Sequence, residues 1–98
     1  MEFIQIMELN TSDYSKVDAL DKEWEAATEG KRTARRSIVT RDRNDPNRYV
    51  VIVFFDSYES AMENSQLPET QEFAARFSAL TDKPMTFHDL DVMDDRSI

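Results

Sequence analysis

Cysteine is absent from the sequence, which excludes disulfides, thiolate nucleophiles and cysteine-ligated metals. Glycine occurs once, at Gly30, so neither a glycine-rich phosphate loop nor a dinucleotide-binding fingerprint can be built. Histidine also occurs once, at His88, which rules out an HExxH zinc site, a two-histidine copper site or a facial triad within one chain. A Ser-His-Asp arrangement would have to use His88, and no GxSxG elbow accompanies it. No apolar run approaches the roughly 20 residues of a membrane-spanning helix. The opening "MEFIQIMELN" carries acidic residues where a signal peptide carries basic ones. The expectation is a cytoplasmic domain with no metal and no membrane partner.

Positive charge is in short supply too. Twelve Lys and Arg face 20 Asp and Glu, a net charge of -8, and such a balance repels nucleic acid and anionic membranes. Lys31, Arg32, Arg35 and Arg36 form the one basic cluster, read as a solvated edge strand. Apolar residues, by contrast, make up 40% of the chain and include six Phe, three Tyr and one Trp, enough to pack a globule. At 98 residues the chain makes one domain, 1–98, with 94–98 expected to fray.

The hydrophobic pattern divides the chain into strands and helices. "EFIQIMEL", 2–9, reads as a strand apolar on both faces. Val17, Leu20, Trp24 and Ala27 then recur at helical spacing over about 13–29, with Ser15 and Asp18 resembling a capping box and Gly30 placed as a left-handed stop. "TARRSIVTRDR", 33–43, is a charged second strand, and "NDPN" turns it into "RYVVIVFFD", 48–56. Ser57 caps a short helix over "YESAMENS". Pro68 opens another, with Phe73, Ala74, Phe77 and Leu80 on one stripe. "MTFHDLDVM", 85–93, alternates as a fourth strand.

This order is βαββαβ, the ferredoxin-like α+β arrangement, whose antiparallel sheet runs 4-1-3-2. The apolar strands fall in the centre and the charged ones, with Arg41, Arg43, Asp89 and Asp91, at the edges. Helices cover one sheet face only. The other keeps three to five large apolar side chains, each forgoing about 1.5–3 kcal/mol in water, a sum comparable with the ~5–15 kcal/mol stability of a whole domain. One chain has no third layer to offer. The expected partner is a second copy, in a homodimer.

"YVVIVFFDSYESAMENSQLPETQEFAARFSAL" followed by "FHDLDV" resembles the dimeric α+β barrel superfamily and, within it, the antibiotic-biosynthesis-monooxygenase type. The resemblance implies two sheets facing each other across a dimer, and a cleft between each sheet and its own helices. It also implies either a cofactor-free oxygenase of aromatic or polyketide-type molecules or a non-catalytic barrel that binds a small molecule. Relatives often carry a histidine in the helix after the third strand. Asn64 to Thr70 has none, so no axial haem ligand is available there.

An oxygenase of this kind needs apolar walls, a base to form a phenolate and donors to hold it. Trp24, Phe73 and Phe77 are candidate walls, with Phe54 or Phe55 depending on which strand face meets the helices; all three also sit at spacings suited to core packing. Asn64, Tyr49, Tyr58 and Arg36 are candidate donors, although Asn64 equally suits a helix terminus. His88 is the candidate base, with a half-buried strand position as the plainer alternative. No cofactor is expected.

Overall fold

The computed structural model describes residues 1–98. Its elements are β1 (Phe3–Asn10), α1 (Tyr14–Ala27), β2 (Arg36–Arg41), β3 (Arg48–Phe55), α2 (Tyr58–Gln66), α3 (Pro68–Ser78) and β4 (Thr86–Asp91). The sheet is antiparallel throughout and ordered β2-β3-β1-β4. The α+β topology expected from the sequence is therefore present, with the two apolar strands at its centre.

Local chemistry sets the element ends, in two places differently from expectation. Ser15 and Asp18 do not form a capping box. Asp13 is the N-cap of α1 and makes no side-chain capping bond, while the Asp13 N–H donates to Thr11 Oγ1 at 3.1 Å. The capping box stands instead at α2: Ser57 Oγ accepts from the Ser60 N–H at 3.1 Å and Ser60 Oγ accepts from the Ser57 N–H at 3.2 Å. Gly30 takes φ +79° as anticipated, but one residue later than the position directly after the helix cap Thr28. Leu67 ends α2 and begins α3, its ψ of 134° being the extended geometry that a following proline enforces.

Strand register settles which face is which. Met7 pairs with both Val51 and Phe87, and Ile6 with both Ile52 and His88. Phe3, Leu9, Val51 and Phe55 are buried beneath the helices. By alternation Ile4, Ile6, Ile38, Val50, Ile52 and Phe54 lie on the opposite, open face.

The helices meet the sheet in two separate clusters. Leu9, Val17, Leu20, Val51 and Phe77 form one, and Phe3, Phe55 and Ala61 form the other. Only 11 of 98 residues are buried: one sheet face is uncovered, and space remains between the clusters on the other.

Candidate functional site

That space is a cavity of about 570 Å³ whose floor is the middle of the sheet, including Met7, Val51 and Val53. Its size falls within the range of small-molecule sites. Tyr14, Val17, Asp21 and Trp24 recur along α1 at three- and four-residue steps and line one wall. Phe73 and Phe77 of α3 line the adjoining wall, on the stripe foreseen for that helix.

The aromatic walls are held in place. Trp24 and Phe73 are tilted at 5.9 Å between ring centroids, and Phe73 meets Phe77 edge-on at 5.1 Å. Trp24 Nε1–H donates to Thr70 Oγ1 at 2.9 Å, which fixes the indole plane. Rings locked by neighbours present a surface without first losing rotamer freedom.

Asn64 is the buried polar residue of the cavity lining. It sits in the last turn of α2 and is 7% exposed, yet it does not cap the helix. Its Oδ1 accepts the Thr33 backbone N–H at 3.1 Å. Thr33 Oγ1 donates to the Ser60 carbonyl, so two bonds pin this loop to α2. With the carbonyl end committed, the amide –NH2 is the free end of a cavity-lining side chain, and no fully buried polar atom lacks a partner. Asn64 is an oriented donor.

Asp21 supplies a carboxyl. Burial pushes it above the ordinary aspartate value of 3.8, and the nearby negative charges of Glu25 and Asp18 add to the rise. Burial likewise raises the Tyr14 phenol, with Asp18 and Asp21 contributing. A carboxyl held toward its neutral form inside a cavity can accept and return a proton.

Other residues chosen from the sequence stand elsewhere. His88 and Phe54 lie on the open sheet face: His88 Nε2 is 3.0 Å from Glu8 Oε2, and Phe54 lies beneath the Arg36 guanidinium at 5.3 Å. Period-two alternation from Ile6 and Ile52 puts them there, so neither faces the cavity. Arg36 touches the cavity rim, but its charged end is over Phe54. Tyr49 stacks on Tyr14 at 4.5 Å and belongs to the core beside the site. Tyr58 packs edge-on against Phe3 and is half exposed. Trp24, Phe55, Phe73, Phe77 and Asn64 are thus the candidates that the fold gathers in one place.

Among solved structures, the chain is similar to an asparagine-to-alanine variant of SnoaB, a cofactor-independent oxygenase from Streptomyces nogalater. The TM-score is 0.82 and the identity 14%, over 96% of this chain and 95% of that one. It is similar to Rv0793 from Mycobacterium tuberculosis, with TM-score 0.80 and 16% identity over 99% and 100% of the two chains. An antibiotic biosynthesis monooxygenase matches with TM-score 0.73 and 14% identity over 96% of this chain and all of that one. The chain has the antibiotic biosynthesis monooxygenase-like fold. No protein-family model and no curated protein matches the sequence.

Within this fold, sequence reading passed over Tyr14, Asp21 and Gln71 and placed Arg32 in a solvated edge strand, whereas all four line the cavity and Arg32 is half-buried in the loop before β2. Asp21 did leave a signal. It stands four residues after Val17 on the apolar stripe of α1, where an unpaired carboxylate is costly unless used. No three His, Cys, Asp or Glu side chains converge in a way that could hold a metal ion. No helix is long and apolar enough to cross a membrane.

Proposed function

We propose that this protein is a cofactor-independent oxygenase of small aromatic molecules, working in the cavity between sheet and helices of each copy of a homodimer. The observation that carries the reading is the cavity itself. It has locked aromatic walls, one oriented amide donor at Asn64 and one carboxyl of raised proton affinity at Asp21. The likeness in fold to SnoaB, described as a cofactor-independent oxygenase, supports it.

Asp21 takes the proton of a bound phenol. The Asn64 –NH2 donates to the resulting oxyanion, and the joined Trp24 and Phe73 rings form an apolar wall against which the substrate ring lies. The electron-rich phenolate reduces dioxygen directly: one oxygen atom stays on the ring as a quinone carbonyl and the other leaves as water. A phenol plus O2 gives a quinone plus H2O, so electrons and atoms balance without a further reductant. His88 has no part in this chemistry.

The open sheet face completes the proposal. Its apolar residues are covered by the same face of a second copy, and the His88–Glu8–Arg48–Asp42 chain of contacts satisfies the charges among them.

Oxygen uptake with a panel of dihydroxynaphthalenes and anthrones in metal-free buffer tests the activity. Turnover is expected, falling about 100-fold in Asn64→Ala. Zero uptake across the panel sinks the oxygenase reading and leaves a small-molecule-binding or interaction module.

A further inference from the structure

We propose that the aromatic ligand of this cavity carries a carboxylate, which the guanidinium of Arg32 receives beside the indole of Trp24. The inference rests on the cavity being a site for aromatic molecules, but it does not depend on any reaction with oxygen.

Arg32 is half-buried and lines the cavity. Its Nη1 donates to the Glu25 backbone carbonyl at 2.6 Å and to Thr28 Oγ1 at 3.4 Å. Thr28 is 0% exposed and its hydroxyl donates to the Trp24 carbonyl at 2.7 Å, so the anchor is rigid. The next residue, Thr33, is pinned to α2 through Asn64 and Ser60. The guanidinium carbon lies 5.9 Å from the centre of the Trp24 ring.

What Arg32 lacks is an acid. Of the nearby cations, Lys31 pairs with Glu69 at 3.4 Å, Arg35 with Asp56 and Arg76 with Glu23 at 3.0 Å, while Arg36 has no acid either but carries its guanidinium over Phe54. In a chain where acids outnumber bases 20 to 12, no carboxylate comes within ion-pairing distance of Arg32. Only the Nη1 corner is used. The Nε–Nη2 edge remains, and that edge is the planar fork that fits a carboxylate with two parallel hydrogen bonds. Asp21 and Glu25 line the same cavity, so a dianion such as a phosphate meets more repulsion there than a singly charged carboxylate.

Arg32 also holds a carbonyl at the end of α1, and a purely structural role there would alter folding without altering ligand choice. The test separates the two. Isothermal titration under nitrogen compares 1-hydroxy-2-naphthoate with its methyl ester, which keeps the ring and removes the charge. The wild-type protein is expected to bind the carboxylate roughly 10- to 100-fold more tightly. Arg32→Gln brings that ratio to about one, whereas Arg43→Gln, the same loss of charge in an exposed loop, keeps it.

Equal affinity of the wild type for acid and ester, no binding of the acid at millimolar concentration, or a ratio that survives Arg32→Gln overturns the proposal. If Arg32→Gln fails to fold, the wild-type ratio and Arg32→Lys decide, the latter keeping charge but losing the fork. A full ratio without oxygen uptake removes the oxygenase reading and leaves this one standing. Uptake with a ratio of one does the reverse.

Discussion

Asp21 makes opposite contributions to folding and to the proposed chemistry. Its carboxyl is pushed upward, first by burial and then by Glu25 and Asp18, so the folded state binds a proton that the unfolded chain at the same pH releases. Stability from that difference is fully present below the ordinary aspartate value of 3.8 and is lost as pH rises through the higher folded value. At neutral pH the charged form therefore weakens the fold. Asp21→Asn is expected to raise the melting temperature at pH 7 by roughly a few degrees, an advantage that vanishes below pH 3.8, while oxygen uptake falls. Melting curves across pH 3–7 check the sign. A variant less stable than wild type at pH 7 would show that the carboxylate is instead supported by its surroundings.

At the scale of elements, the junction of α2 and α3 positions the site. Asn64 is aimed by the last turn of α2, and Thr70, which holds Trp24, stands in the first turns of α3. Between them Leu67 takes the extended geometry set by Pro68, so the two helices change direction over one residue. The Ser57–Ser60 capping box fixes where α2 begins and hence the rotation at which Asn64 arrives. Ser57→Ala is expected to cost about 1 kcal/mol in urea unfolding and to loosen Asn64, lowering turnover without changing the walls of the cavity. Loss of stability with unaltered turnover would show that the Thr33 contact alone holds Asn64 in place.

For the molecule as a whole, the open face is the controlling feature. Ile6, Ile38 and Ile52 stand side by side across three strands, with Ile4, Val50 and Phe54 beside them. Glu8 on the same face is held below the ordinary glutamate range, chiefly by its hydrogen bond to His88 and further by Arg48, so its charge is already matched. A second copy laid on this face buries apolar surface without stranding that carboxylate. Ile52→Glu places a new charge at the centre of the patch. The wild type is expected to sediment at twice 11.4 kDa at micromolar concentration and the variant at 11.4 kDa. A wild-type monomer that stays folded removes the dimer.

Strand order, the apolar character of β1 and β3 and the aromatic stripe of α3 were all legible along the chain, because each depends on a period of two or 3.6 residues. From that stripe and α1 came Trp24, Phe73 and Phe77, and from the turn before Pro68 came Asn64. Which face of β3 meets the helices was not legible: "YVVIVFF" is apolar at every position, so alternation alone is ambiguous by one residue. Packing of Leu9, Val51 and Phe55 against the helices decided it, and that choice carried Phe54 and His88 to the far side. Asp21 showed along the chain only as a carboxylate on the apolar stripe of α1, and its burial, like the want of an acid beside Arg32, is a property of surroundings that the order of residues does not state.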